Sequence, residues 1–186
     1  MTLIVEDGSN VAGANSYLDL TDIRAYCLNR GVTLPVDATL EPMVFKAMDY
    51  IESKRNQYQG TKTDKTQSLQ FPRCLPYYNG GSDYPFQADP VASIYGIIID
   101  GFQIASDEIP QVLKDLLCQC VLAINSGVDF ANLNQKQKFS IMEKVGPIQT
   151  AYSEKVGTSS TISIRSIDDM FNILFGTDNT FRTVKV

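Results

Sequence analysis

Two pairs of adjacent carboxylates are the side chains in this sequence that could most readily do chemistry. They are Asp107-Glu108 and Asp168-Asp169. Neighbouring carboxylates can bind a cation or exchange protons with a substrate. Both pairs, however, stand where we predict the start of a helix, and the helix dipole stabilises negative charge there. We therefore interpret both pairs as helix caps and assign no catalytic, metal-binding or cofactor-binding residue.

Other reactive residue types are scarce. The chain has no histidine, which removes the usual near-neutral base, the Ser–His–Asp and Cys–His nucleophile systems and the commonest metal ligand. It also lacks the glycine-rich phosphate-binding motifs and the nucleophile elbow. Cys27, Cys74, Cys118 and Cys120 fit no zinc-binding spacing, so we interpret them as reduced, small apolar residues. The sequence predicts neither an enzyme nor a cofactor.

A basic cluster is the remaining candidate, and it would contact phosphate. It consists of Lys54, Arg55, Lys62 and Lys65. The whole chain is acidic, with 16 Lys and Arg against 21 Asp and Glu, whereas proteins that neutralise nucleic-acid phosphates usually carry a basic stripe. We interpret the cluster mainly as a solvated loop and keep a contact surface as the alternative.

Composition indicates one ordinary domain. A chain of 186 residues with 44% hydrophobic residues can bury a core without disulfides or metals. No stretch approaches the roughly 20 apolar residues of a membrane span, and the first residues do not form a signal peptide. We expect no membrane partner and synthesis in the cytoplasm.

Three amphipathic helices are predicted in the first 130 residues. The first covers about residues 20–29 and has Asp19 as its N-cap, and the second begins near Thr39 with Pro42 in its first turn. The third follows Asp107 and has Pro110 in its first turn, where a missing N–H costs little. It carries the longest apolar stripe of the sequence.

Between the second and third helices, the chain changes character. Residues 56–98 are interrupted by glycine and proline, and a short hairpin around Asp100-Gly101 is predicted immediately after them. We expect an ordered excursion that packs on a neighbouring subunit, because aromatic residues are unusual in disordered segments. The subunit-interface candidates are Tyr77, Tyr78, Tyr84, Phe86 and Tyr95.

The C-terminal part predicts two strands and a tethered helix. The strands, at residues 139–143 and 148–152, flank Gly146-Pro147, and a small polar joint follows at 157–161. A last helix, capped by Ser166 and closed by Gly176, either folds back on its own core or docks on a partner. The docking candidates are Ile167, Met170, Phe171, Leu174, Phe175 and, in the tail, Phe181.

The predicted fold class is mainly α: a small helical bundle with a short β hairpin or extended arm, a long inserted loop at 74–97 and a C-terminal tethered helix. Residues 1–155 form the helical domain, and residues 156–186 form what we call the docking arm.

The order of several short motifs resembles the head–tail adaptor, or connector, proteins of tailed bacteriophages. Many members of that group carry the label "putative DnaT-like single-stranded-DNA-binding protein". The match covers residues 5–73 and 98–155, with Phe71 where a tryptophan is usual and an insertion at 74–97. The motifs are VEDGS at 5–9, NSYLD at 15–19, KAMDYI at 46–51, QSLQFPR at 67–73, DEIP at 107–110 and EKVGPI at 143–148.

The resemblance implies a structural protein of the virion neck, made in the host cytoplasm. Such subunits assemble as a dodecameric ring beneath the portal protein and above a tail or stopper (neck) protein. Double-stranded DNA passes through the ring without sequence-specific binding, and an acidic lining would let it slide. The C-terminal segment, here about residues 166–186, would grip the portal protein.

The alternative is a single-stranded-DNA-binding module, as the label suggests. Such a module needs a basic groove interleaved with aromatic side chains on which bases can stack. The sequence offers one segment of this kind, between Lys54 and Tyr84.

Overall fold

The computed structural model describes residues 2–75, 96–130 and 164–176, together with the backbone of two strands between 142 and 151. Within these ranges the chain is mainly α-helical with short antiparallel hairpins, which confirms the predicted fold class. The helices are α1 Leu20–Leu28, α2 Asp37–Ser53, α3 Gln111–Asn125 and α4 Arg165–Phe175. The strands are β1 Thr61–Lys62, β2 Arg73–Cys74, β3 Ile98–Ile99, β4 Phe102–Gln103, β5 Met142–Val145 and β6 Ile148–Ala151, paired in chain order.

Helix α3 is the centre of the bundle. It packs against α1, α2 and α4. Leu117 and the two cysteines at 118 and 120 are all fully buried, although Cys118 and Cys120 point to nearly opposite sides of the helix. A helix that buries residues on all sides lies inside a core rather than on its surface. The predicted apolar stripe is therefore part of a helix that is covered by its neighbours on more than one face.

Three of the four cysteines, Cys27, Cys118 and Cys120, are buried and unreactive in this arrangement. Burial raises the pKa of the Cys118 thiol to about 12 and also raises the pKa of Cys120 and Cys27. Cys74 is half-buried and belongs to a short hairpin. We expect the folded protein at about pH 8 to react rapidly with one equivalent of a thiol reagent such as DTNB, and with four after denaturation. Rapid reaction of two or more thiols in the folded state would contradict the burial of the cysteines in α1 and α3.

The first helix has the predicted caps. The Asp19 carboxylate accepts a hydrogen bond from the Asp22 N–H (2.7 Å), which satisfies one free donor of the first turn. After the helix, Gly31 has a φ of +75°, a conformation that glycine adopts without strain. The local sequence is sufficient to set both ends of α1.

Pro42 and Pro110 do not occupy the helix positions that the sequence predicted for them. Helix α2 begins at Asp37 rather than near Thr39, so Pro42 falls beyond its first turn. In α3, Pro110 is the N-cap, with a ψ of 138°, and Gln111 is the first helical residue. Consequently the carboxylates of Asp107 and Glu108 precede the helix, and the predicted capping role of this pair is wrong.

The start of α4 also differs from the prediction. Ile164, not Ser166, is the N-cap, and no side chain caps the helix. Ile164 packs on the hydrophobic core, so burial rather than capping sets this end. Asp168 does lie in the first turn, and Gly176 closes the helix with a φ of +71°, both as predicted.

Two predicted pairs of strands are present. Asp100 and Gly101 have φ values of +53° and +82°, the pattern of a type I′ turn, and they join β3 to β4. Strands β5 and β6 are antiparallel, with Val145 opposite Ile148. Two strands before and after residues 146–147 are thus confirmed, but β5 continues to Val145, two residues beyond the predicted 139–143.

The two ends of the 74–97 insertion lie next to each other in the fold. Cys74 and Gly96 form an antiparallel bridge, and a side chain at Gly96 would lie 1.7 Å from the Ile104 carbonyl oxygen. The close approach requires glycine at this position. The five interface candidates Tyr77, Tyr78, Tyr84, Phe86 and Tyr95 lie outside the described residues, and their role stays a prediction.

Helix α4 is folded onto the core of its own chain. Ile167, Phe171 and Leu174 are at most 3% exposed, whereas Met170 and Phe175 are half-buried. This is the first of the two arrangements left open by the sequence. Phe181 lies outside the described residues. Docking of these residues on a partner is not addressed by the fold and stays a prediction.

Candidate functional site

The residues of the first motif shape a loop and do not form an open site. Glu6 is 1% exposed, and its carboxylate accepts hydrogen bonds from the N–H groups of Gly8 (2.9 Å), Asn10 (3.0 Å) and Val11 (2.9 Å). A side chain at Gly8 would lie 1.8 Å from the Asp107 carbonyl oxygen. The motif at 5–9 therefore holds the N-terminal loop tightly against the motif at 107–110.

A second buried network joins three further segments. The Tyr17 hydroxyl donates to Glu52 Oε1 (2.6 Å) and accepts from the Phe71 N–H (3.2 Å). The Gln70 N–H donates to the same carboxylate oxygen at 3.3 Å. Burial raises the pKa of Glu52, and the hydrogen bond from Tyr17 partly opposes this effect. The network fixes the loop at residues 67–73 against α2.

Arg73 is the most enclosed cation among the described residues. It is 6% exposed. Its guanidinium donates to the carbonyl oxygens of Gln59 (2.6 Å, from Nε), Gly60 (2.6 Å, from Nη2) and Gln70 (3.3 Å, from Nη1). A guanidinium presents its donors in a rigid fork, which suits it to gather several carbonyls. Because Arg73 is used inside the fold, it is not presented to a ligand.

The segment predicted to bind single-stranded DNA begins at Lys54, and the structure describes it as far as residue 75. Its aromatics there, Tyr58 and Phe71, are buried and meet edge to face with ring centroids 5.1 Å apart. Lys62 donates to the Gln67 carbonyl oxygen at 3.0 Å. In this described part of the segment, basic and aromatic side chains do not line a common open groove.

A different surface does combine these residue types. Tyr50 and Phe130 stack with ring centroids 4.2 Å apart and planes 12° from parallel, and Lys54 Nζ lies 5.1 Å from the Tyr50 centroid. Tyr50 and Phe130 border a groove of about 540 Å³ between α2 and the C-terminal end of α3, and Lys54 lies beside Tyr50. Burial raises the pKa of Tyr50 to about 12, so its hydroxyl is neutral at ordinary pH. The main lining residues are Met43, Lys46, Asp49, Ile124, Asp129 and Phe130.

The charges around this groove are balanced. Lys46 and Lys54 contribute two positive charges, and Asp49 and Asp129 contribute two negative ones. Lys46, Tyr50 and the C-cap Lys54 are spaced four residues apart, so they lie on one side of α2. This part of the surface can be predicted from the sequence. The contribution of Phe130 could not be foreseen, because it lies 80 positions from Tyr50 along the chain.

Among residues 2–75, 96–130 and 164–176, no three His, Cys, Asp or Glu side chains are grouped as they would be around a metal ion. None of the helices in the described part of the chain has both the length and the apolar character needed to cross a membrane.

Comparison with known proteins supports the DnaT-like label that many of the resembling proteins carry. No curated protein and no solved structure matches the chain. One family model does, over residues 1–94 and 95–186, and its description is "Putative DnaT-like ssDNA binding protein". Because these two ranges together cover all 186 residues, the chain belongs to the family of putative DnaT-like single-stranded-DNA-binding proteins.

Proposed function

We propose that this family member is a non-catalytic structural subunit of a tailed-phage neck, a head–tail adaptor that forms a ring between the portal protein and the tail. The observation that carries the proposal is where the apolar side chains lie. Leu28, Val36 and Phe102 are 66%, 71% and 75% exposed, while the aromatics Tyr58 and Phe71 of the basic segment are buried. Large exposed apolar side chains suit contacts with other proteins better than contacts with phosphate.

The motif resemblance supports the same proposal. The side chains of the motif residues Glu6, Tyr17 and Arg73 make hydrogen bonds inside the subunit. Contacts with other proteins would therefore use other residues on the surface. Double-stranded DNA would pass through the ring without base contacts, and the net charge of −5 suits a channel that does not hold it. The docking arm, including half-buried Met170 and Phe175, would contact the portal protein.

The test is assembly on a portal. Purified protein is mixed with the portal protein of the phage that encodes it, and the mixture is examined by negative-stain electron microscopy and sedimentation. We expect an added ring on one end of the portal. If the protein did not bind the portal protein even when added in large molar excess, the proposal would be contradicted.

The second candidate function is single-stranded-DNA binding, which the family description directly favours. The supporting geometry is the stacked pair Tyr50 and Phe130 with Lys46 and Lys54 beside it. Base stacking on exposed aromatics contributes about 1–3 kcal/mol per base. Here, however, the Tyr50 ring is already covered by Phe130, and two carboxylates lie in the same groove.

A salt titration separates the two functions. Binding of a fluorescein-labelled oligo(dT) is measured by anisotropy at about 50 and 200 mM NaCl for the wild type and for Lys46→Glu/Lys54→Glu. The adaptor proposal expects only weak binding, with a Kd no tighter than about 10⁻⁶ M at the higher salt. Tight, steeply salt-dependent binding that the double variant loses would establish the second candidate instead. A matched control compares the single variants Lys46→Glu and Lys114→Glu, because Lys114 lies near the N-terminal end of α3 and does not line the groove.

A further inference from the structure

Two Asp-Gly pairs occur in the chain, Asp7-Gly8 and Asp100-Gly101. A pair of this kind can rearrange without an enzyme, because glycine has no Cβ to shield its main-chain nitrogen from the carboxyl group before it. The two pairs are equivalent as dipeptides. Their surroundings in the fold differ, and these surroundings determine how readily each pair can react.

The reaction has two steps, and neither of them needs an oxidant or a reductant. In the first, the glycine nitrogen forms a bond to Cγ of the aspartate, the Cγ–O bond breaks and one water molecule leaves, which closes a succinimide ring. In the second, one water molecule adds to a ring carbonyl and a C–N bond breaks. When the broken bond is the original main-chain bond, the chain continues through Cγ and the residue becomes isoaspartate.

The first pair is held in a closed loop. The Gly8 N–H, whose nitrogen would have to attack, donates to Oε1 of the buried Glu6 at 2.9 Å. A side chain at Gly8 would lie 1.8 Å from the Asp107 carbonyl oxygen, so the main chain has no room to rotate there. Hydrogen bonds from the side chain and the N–H of Ser9 lower the pKa of Asp7, and an ionised carboxylate is a poor target for a nucleophile. Geometry and charge therefore both oppose the reaction at Asp7.

The second pair forms the tip of the hairpin between β3 and β4, and both of its residues are exposed. Apart from its chain neighbours, no described atom lies within 4 Å of the position that a Gly101 side chain would take. Within the described parts of the chain, the Gly101 N–H donates to no acceptor. Asp100 has a φ of +53°, which is uncommon for a residue with a side chain. The attacking nitrogen is thus exposed and has no protein acceptor in this part of the structure.

Cyclisation requires the tip to open, because the left-handed conformation of Asp100 holds the Gly101 nitrogen away from Cγ. The hairpin resists opening only weakly. Its strands pair over two residues each, and hairpins of this kind are marginally stable on their own. Phe102 beside the turn is 75% exposed, whereas the Ile104 N–H fixes the base of the hairpin by donating to the Ile97 carbonyl oxygen at 2.8 Å. The tip can therefore open while the core stays folded.

We propose that Asp100 is where the folded protein isomerises spontaneously to isoaspartate, and that the closed loop protects Asp7. Isoaspartate adds one carbon atom to the main chain of the turn, so Ile99 and Phe102 can no longer pair in the same register. The disturbance ends at the buried Ile97. The inference does not depend on the proposed ring, but any contact made through the exposed Phe102 would be lost as the protein ages.

Peptide mapping of aged protein tests the proposal. Folded protein is kept at neutral pH for several weeks in heavy-oxygen water and is then digested with chymotrypsin, which separates residue 100 from Asn79-Gly80, a pair outside the described residues. Electron-transfer fragmentation identifies isoaspartate, and each event adds one heavy oxygen atom. We expect residue 100 to convert at least about tenfold faster than residue 7, which corresponds to a difference of about 1.4 kcal/mol in the free energy of local opening.

Protein unfolded in urea is the control for the intrinsic reactivity of the two pairs. There, residues 7 and 100 should convert at similar rates, because neither the loop nor the hairpin is formed. In the folded protein, equal rates at the two residues, or a faster rate at residue 7, would overturn the proposal.

A matched pair of variants separates the effect of the fold from that of the carboxylate charge. Asp7→Asn and Asp100→Asn cyclise with loss of ammonia instead of water, so each event changes the mass of the protein, and neither variant has the carboxylate. Asparagine also suits a type I′ turn, so Asp100→Asn should fold normally. Above the background that both variants share, we expect Asp100→Asn to deamidate at least about tenfold faster than Asp7→Asn. Similar rates would mean that the closed loop gives no protection.

Discussion

Phe171→Ala is expected to lower the free energy of unfolding by about 3–5 kcal/mol, as is usual for truncating a buried phenylalanine. Phe171 is 3% exposed. Its ring meets Tyr50 of α2 edge to face at 5.6 Å and stacks on Phe175 of its own helix at 5.4 Å, and it helps to hold α4 on the core, which is formed mainly by α3 on this side. Urea denaturation followed by circular dichroism measures the change.

The matched control is Phe102→Ala, which removes the same atoms from a side chain that is 75% exposed. We expect its effect on the monomer to be within about 0.5 kcal/mol. If the two variants were equally stable, α4 would not be part of the core. The expected result also changes how the docking arm should be studied: deleting residues 166–186 would remove core contacts of Phe171 and Leu174 together with any portal contact, so deletion alone cannot isolate docking.

Arg73→Ala is the second variant with a large expected effect. Its side chain donates to three carbonyl oxygens, those of Gln59, Gly60 and Gln70, in a buried environment. Removing the donor from a buried acceptor costs about 1–3 kcal/mol for each group that finds no other partner. We therefore expect a loss of about 3–5 kcal/mol in the free energy of unfolding, measured in the same urea experiment.

Two further substitutions show whether the guanidinium geometry is the cause. Arg73→Lys keeps the charge but has no rigid fork, so its stability should lie between that of the wild type and that of Arg73→Ala. Arg55→Ala, at an exposed position of the same basic segment, should change stability by less than about 0.5 kcal/mol. A lysine variant as stable as the wild type would mean that charge alone is required.

These buried contacts give the sequence motifs a physical meaning. Glu6 organises the first loop, Tyr17 and Glu52 hold the loop at 67–73, and Gly8 allows the approach of the chain before α3. The polar residues of these motifs thus hold distant segments of the chain together. The proposed assembly would then use exposed residues outside the motifs, such as Val36 and Phe102.

Local patterns in the sequence determined the helices and turns. The Asp19 cap, the Asp100-Gly101 turn and the helix-ending Gly176 each depend on a few neighbouring residues, and each was predictable for that reason. The apolar stripe of α3 was likewise readable, because its period matches the turn of a helix. The start of α4 was not, since packing of Ile164 on the core sets that end. Helix α2 also begins before the predicted Thr39, at Asp37, and no side chain caps it.

Only the tertiary structure decided which polar and aromatic residues face solvent. Tyr58 and Phe71 sit in a sequence context that suits a binding loop, yet both belong to the core. Phe130 meets Tyr50 from 80 residues away, and Arg73 reaches the carbonyls that precede β1. Such contacts join segments that are remote along the chain, and no periodicity within one segment encodes them, so they emerge only when the helices pack.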